Sequence, residues 1–257
     1  MASSSNSMPE TGPGQMRGLS NLRLKVIAGI FLSFQVASTT VVPYFFGTDL
    51  KNNFGALTAA VLSEVVSWCA VPIYAWLLAE GFTWTANKWR YLLRLVILAL
   101  VCEVPYDVVT FYRPVDWASQ NPVFGLALAL LVLILIDYVR NRWSGAKAWI
   151  GAVAVAGSGI LWALLLHLGT RQGVINIGCL LIGFTLIFSL LRLRENTMMM
   201  TAGLLGAVSL VTPAIGVAFL HYRNETLGYL NANTRWFCYA VYPLLLMLGA
   251  AWRTLLL

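Results

Sequence analysis

Charge is what this chain has least of. Of its 257 residues, 59% are hydrophobic and only 11% are charged, about half the charged share of an ordinary soluble domain. Between the charges lie long apolar runs that recur from end to end. They exclude a soluble globular fold and define a polytopic helical membrane protein. Cysteine is scarce as well. Cys69, Cys102, Cys179 and Cys238 stand singly, with no CxxC and no histidine at ligand spacing, so neither a disulfide framework nor a metal site is expected. The two histidines, His167 and His221, close apolar runs at what the sequence suggests are outer helix ends, where structural or interfacial roles are commonest.

An apolar signal sequence is missing too. Residues 1–22 are rich in Ser, Pro, Gly and Asn, which predicts a disordered cytoplasmic tail rather than a cleaved leader. One transmembrane domain is then expected over residues 23–257.

What is present is a series of eight apolar segments, at about 24–46, 56–79, 90–112, 122–139, 147–168, 173–191, 198–221 and 236–256, each near the length that crosses a bilayer. Eight crossings place both termini on one side. Counted that way, 12 of the 17 Lys and Arg residues fall on the terminal side, which the positive-inside rule makes cytoplasmic. The expected fold is an all-α, polytopic transmembrane helical bundle with both termini inside, in the plasma (cytoplasmic, inner) membrane of a bacterium. The net charge of +7 would suggest nucleic acid in a soluble protein. Here the cations sit in short loops beside apolar runs, so the lipid bilayer is the expected partner and nucleic acid is not.

Acids inside such segments are expensive, about 2.5–3.5 kcal/mol each at the bilayer centre on insertion scales. Glu103 and Asp107 lie one helical turn apart around Pro105, with Glu103 about 3 Å from the expected midplane and Asp107 about 9 Å beyond it. Gln35 falls near the middle of the first segment, and Glu64 lies in the outer half of the second. No Lys or Arg occurs at matching depth. These acids are candidates for a polar cavity that handles a substrate or a proton, against the simpler possibility of buried hydrogen bonds that fix helix packing. The loop between the second and third segments carries Glu80, Lys88, Arg90 and Arg94 beside Trp84 and Trp89. It suits headgroup contact, or a rim for phosphates, which match the planar fork of arginine.

The stretch from Pro72 to Asp107 resembles the TraX family of integral membrane acetyltransferase-like proteins. Pro72, Glu80, Gly81, Phe82, Thr85, Tyr91, Leu92, Leu93, Arg94, Leu95, Glu103, Pro105 and Asp107 carry the likeness in the family's order and spacing. Lys25, Ile27 and Ala28 upstream, Asn121, Phe124 and Gly125 downstream, and Trp236, Phe237, Tyr239, Tyr242 and Pro243 near the end extend it. The resemblance implies transfer of an acyl group from cytosolic acetyl-CoA or another acyl-CoA to an acceptor at the membrane, a protein N-terminus, a glycan or a lipid. It implies no metal. Glu103, Asp107 and Gln35 would do the catalytic work, and Glu80, Arg90 and Arg94, with Arg140 or Arg142, would hold the donor. The chain departs from the family where it has Asp-His in the first segment, here Gln35 and Val36, and where it has a later histidine, here Leu245. A family arginine before Pro72 is here Trp68. Valine and leucine carry no proton, so a non-catalytic scaffold or partner- or lipid-binding relative is the alternative to an acyl-CoA-dependent enzyme. A proton or anion transporter is a third reading, motivated only by the embedded acids.

Overall fold

The computed structural model describes residues 18–47, 52–170, 175–224, 226, 228 and 232–256. Its regular structure is helical, with no strand among the described residues. The chain enters through α1 (Asn21–Thr39), bends at Thr40 and continues as α2 (Val41–Phe46). It returns through α3 (Phe54–Ser67) and α4 (Ala70–Trp84), separated by a break at Trp68 and Cys69. Then follow α5 (Lys88–Phe111), α6 (Pro122–Arg142), α7 (Gly145–Leu165) and α8 (Ile177–Leu190). The last elements are α9 (Glu195–Val208), α10 (Thr212–His221) and α11 (Ala232–Leu256).

Among the described residues, five stretches are long and apolar enough to cross a membrane: Asn21–Phe46, Phe54–Trp84, Pro122–Arg142, Gly145–Leu165 and Phe237–Leu255. The helix α5 has the length but carries Lys88, Arg90, Arg94, Glu103 and Asp107. Polar side chains start the helices where the sequence allows. Asn53, Asn87, Asn121 and Asn176 each accept a backbone N–H from the first turn of α3, α5, α6 and α8, and Ser20 does so for α1. Each such cap satisfies a donor that the helix itself leaves open, worth about 1 kcal/mol.

Residues 198–221 do not form the single crossing that their continuous apolar character suggests. The backbone turns over at Leu210 and Val211, whose φ values are 67° and 68°, and Pro213 opens α10 where its missing N–H is harmless. The two arms are short: α9 reaches about 21 Å and α10 about 15 Å. They pack against each other as a hairpin, so close at the tip that a Cβ on Gly206 would lie 2.5 Å from the Ala214 nitrogen. Both open ends return to the end of the bundle where α1 begins. Leu19 N–H donates to Tyr222 O at 2.8 Å, Asn224 N–H donates to Leu19 O at 3.1 Å, and Asn21 N–H donates to Thr226 O at 2.8 Å. Arg223, after α10, pairs with Glu195 at the start of α9 at 3.0 Å and sits 4.2 Å over the Trp76 ring. The start of α10 packs against the break between α3 and α4, while Leu210 and Val211 at the tip stay exposed. Cys69 Sγ lies 3.1 Å from Thr212 O, and a Cβ on Gly216 would lie 2.2 Å from Cys69 O.

The hairpin changes the path of the last helix. Gly228 lies against Ser20 and Leu22, Gly29 faces Val241, and Gly249 packs on Val36 and Val109. Trp252 meets Tyr44 edge-on, and Arg253 stands over the Tyr112 ring at 3.0 Å. So α11 runs parallel to α1 and α5 and ends at the opposite end of the bundle from the start of α1. Residues 198–221, expected as one of eight crossings, are two short helices here, and His221 lies at the entry end rather than the outer end. Gly18 to Leu22 belong to the fold through the Leu19 contacts, whereas residues 1–17 lie outside the described residues.

Three larger apolar clusters and a small one of Val132, Ile136 and Ala152 between α6 and α7 hold the described residues together. The first gathers α1, α4, α8, α9 and α10 around Ile73, Trp76, Phe184, Phe188 and Leu220. A second joins α4, α5, α6 and α8 around Leu95, Leu130 and Ile182. The third joins α1, α5 and α11 around Val36, Ala99, Tyr106, Tyr242 and Leu246.

Candidate functional site

Proline inside α5 opens the ladder at the place where the acids sit. Pro105 has no N–H to give to Val101 O, and Glu103 and Asp107 flank it. Glu103 Oε2 accepts two hydrogen bonds from one residue, from Asn121 N–H at 3.1 Å and from Asn121 Nδ2. The same Nδ2 donates to Ala99 O at 2.8 Å, and Asn121 Oδ1 accepts from Val123 N–H at 3.0 Å. Every polar atom of the Asn121 side chain, which is fully buried, therefore ties α5 to the first turn of α6. Asp107, only 1% exposed, accepts from Asp116 N–H at 2.9 Å through Oδ2. Glu103 Oε1 and Asp107 Oδ1 are both buried and have no hydrogen-bond partner among the described residues. One oxygen of each acid is fixed and the other is open.

The loop that supplies these donors is itself braced by the turn after α7. Ser119 Oγ donates to His167 O at 3.0 Å and lies 3.5 Å from the Tyr106 hydroxyl. Gly169 N–H donates to Gln120 O at 2.8 Å. His167 thus contributes its backbone carbonyl, with φ 49°, while its imidazole stays exposed. Beside the loop, an apolar groove of about 560 Å3 opens between Leu92, Val96, Phe124 and Leu165, with Trp117 and Gln120 among its lining residues.

The other expected polar groups occupy a different interface. Gln35 is buried in α1, and Ser38 Oγ lies 2.7 Å from Gln35 O and 3.1 Å from Glu64 Oε2. That places Gln35 and Glu64 between α1 and α3, and Glu103 and Asp107 between α5 and the α5–α6 loop.

At the entry end, Glu80 is held in a network. Its Oε2 pairs with Arg192 at 3.0 Å, its Oε1 accepts from Trp84 Nε1 at 2.6 Å, and Arg192 also donates to Thr83 Oγ1. Arg90 and Arg94 lie on the first two turns of α5 toward solvent, with Arg94 Nε donating to Arg90 O at 3.2 Å. Lys88 pairs with Asp137 at 2.6 Å and lies over Phe82. Arg140 lies 5.4 Å from the Trp149 ring. The sequence reading missed Asn121, Ser119, Asp137 and Arg192 as partners. For Asn121 the helix start was legible, since Asn before Pro is a strong N-cap signal, but its reach back to Glu103 was not.

Val36 and Leu245 fall in one part of the core. Both belong to the apolar cluster of α1, α5 and α11, with Cys102, Tyr106, Tyr242 and Leu246. The cluster includes the immediate neighbours of both acids, Cys102 and Tyr106. Trp68 instead fills the break between α3 and α4 within the first cluster.

These features define an all-helical protein with several helices long and apolar enough to cross a membrane, a hairpin of α9 and α10, and two acids on α5 that each keep one buried oxygen unpaired among the described residues. A family model described as TraX protein matches residues 52–250. The match spans most of the chain, and the protein belongs to the TraX family. No curated protein and no solved structure matches the chain.

Proposed function

We propose that the protein is a TraX-like membrane acyltransferase that takes an acyl group from cytosolic acyl-CoA, acetyl-CoA foremost, and passes it to an acceptor at the membrane. The observation that carries this reading is the state of Glu103: one oxygen is held by Asn121, and the other is buried and open. A base needs that arrangement, because a positioned carboxylate must keep a lone pair for the acceptor's proton. Asp107, one turn away with an open oxygen of its own, would orient the acceptor or accept the proton in turn. Gln35, across the bundle on α1, has a supporting role through the α1–α3 contact. Removal of the proton, attack on the thioester carbonyl and departure of the CoA thiolate, which takes up a proton, complete the transfer.

The path of the chain supports the N-terminal side as cytosolic. Seven crossings with a hairpin before the last move Arg223 and Arg235 to that side and Arg253 away from it. The division of Lys and Arg then becomes 13 to 4, a stronger bias than eight crossings give. The plasma membrane of a bacterium fits this arrangement.

One observation favours a second reading. The two positions where the resemblance expects histidine, Val36 and Leu245, meet in hydrocarbon, as in a scaffold or lipid- or partner-binding relative that has closed its site. Purified protein in detergent with labelled acetyl-CoA separates the two. The first reading expects binding and slow release of acetate or transfer to an added acceptor, and the second expects neither.

A further inference from the structure

We propose that the cleft at the entry end of the bundle, between the turn into α5 and the last turns of α6, is a nucleotide site that holds a purine base. The cleft has a volume of about 400 Å3. Trp89 and Tyr138 line it, and their side chains are 60% and 67% exposed. Two aromatic faces at one opening form a platform on which a base stacks. Carboxamides complete it. Asn141, also lining the cleft, makes no hydrogen bond among the described residues, so both its donor and its acceptor are free for a base edge. Asn87 gives Oδ1 to the N–H of Arg90 at 2.9 Å, which leaves its amide group to donate.

Charge sorts the parts of the ligand. Inside the cleft, Lys88 is neutralised by Asp137 at 2.6 Å, so the interior suits a neutral heterocycle rather than a phosphate. Anions belong at the rim. Arg90 and Arg142 stand exposed in the first turn of α5 and the last turn of α6. Neither guanidinium has a hydrogen-bond or ionic partner among the described residues. Guanidinium forks match phosphate oxygens. A base in the cleft with phosphates at the rim is the shape of a nucleotide.

The inference deepens the acyl-transfer reading and rests on it for the choice of base, since the handle of coenzyme A is a phosphorylated adenosine. It also revises the donor rim, replacing Glu80 and Arg94 with Trp89, Tyr138 and Asn141, and keeping Arg90. The probe is 3′,5′-adenosine bisphosphate, titrated by calorimetry against the full chain in nanodiscs of neutral lipid, with pyrophosphate alongside. The nucleotide is expected to bind at least tenfold more tightly than pyrophosphate. Trp89→Ala and Tyr138→Ala should each weaken it about tenfold, and Arg90→Gln with Arg142→Gln should flatten its salt dependence. These side chains are exposed, so size-exclusion profiles should not move. Equal affinity for nucleotide and pyrophosphate, or unchanged affinity in the aromatic variants, would overturn the site. So would retention of anionic-lipid vesicles that depends on the same residues without nucleotide binding, which would assign the cleft to lipid headgroups. Nucleotide binding without acyl transfer would keep the site and remove the transferase. Transfer that the bisphosphate fails to inhibit would keep the transferase and remove the site.

Discussion

At the scale of single residues, Asn121 does more than either acid to make the site. It caps α6, bridges to Ala99 O and supplies both donors to Glu103. Its replacement by alanine should lower stability by about 1–3 kcal/mol, from the lost cap and the unpaired buried acceptors, read as thermal melting in detergent. Asn141→Ala, in the open cleft, should leave melting unchanged. The acids were legible in the sequence because a carboxylate in hydrocarbon stands out against its neighbours. Their partners were not, since nothing in local spacing says that a loop asparagine folds back over the turn before it. The same holds for Val36 and Leu245, which are far apart in the chain and share one cluster only through the packing of α1 on α11. Histidine at both positions together is expected to raise acetyl-CoA turnover by about 10²-fold, measured as CoA release. No gain would count for the scaffold reading.

At the scale of elements, the hairpin of α9 and α10 is where sequence periodicity fails most clearly. A membrane segment is read from length and hydrophobicity, and residues 198–221 have both. What separates a crossing from a hairpin is a reversal of two residues at Leu210 and Val211, held at positive φ. Such backbone costs of order 1–3 kcal/mol per residue and lasts only where packing fixes it. The cue lies in Ser209, Thr212 and Pro213, a polar and proline interruption that a hydropathy window averages away. Two glycines test the geometry. Gly216→Ala puts a Cβ 2.2 Å from Cys69 O and 2.6 Å from Pro72 Cγ, and should destabilise by about 1–3 kcal/mol through overpacking. Gly203→Ala, on the same hairpin, meets nothing within 4 Å. It should be neutral or stabilising by up to about 1 kcal/mol, the helix preference of alanine over glycine. Urea or heat denaturation in the same detergent compares the two.

At the scale of the whole molecule, the helical class and the approximate segment limits were legible because burying backbone in lipid leaves helices as the natural solution. The course of the last helix was not, because it depends on whether residues 198–221 run straight or fold back as the hairpin of α9 and α10 does. Reporter fusions at Asn224 and after Leu257 should therefore report opposite sides, with the first sharing the side of the N-terminus. Two reports from one side would restore an even number of crossings. The proposed nucleotide cleft and the Glu80–Arg192 network lie at the entry end of the bundle, while Glu103 and Asp107 lie well along α5, toward the far end. A donor arriving from the cytosol would reach acids that open beyond the midplane. That arrangement is the account's central claim, and Glu103 is its most exposed point. Purified wild-type protein and the Glu103→Gln variant, given labelled acetyl-CoA, test it directly. Glutamine still accepts from Asn121, so melting should hold, while turnover should fall by about 10²–10⁴-fold. Equal turnover in the two proteins, or none in the wild type, would contradict the account.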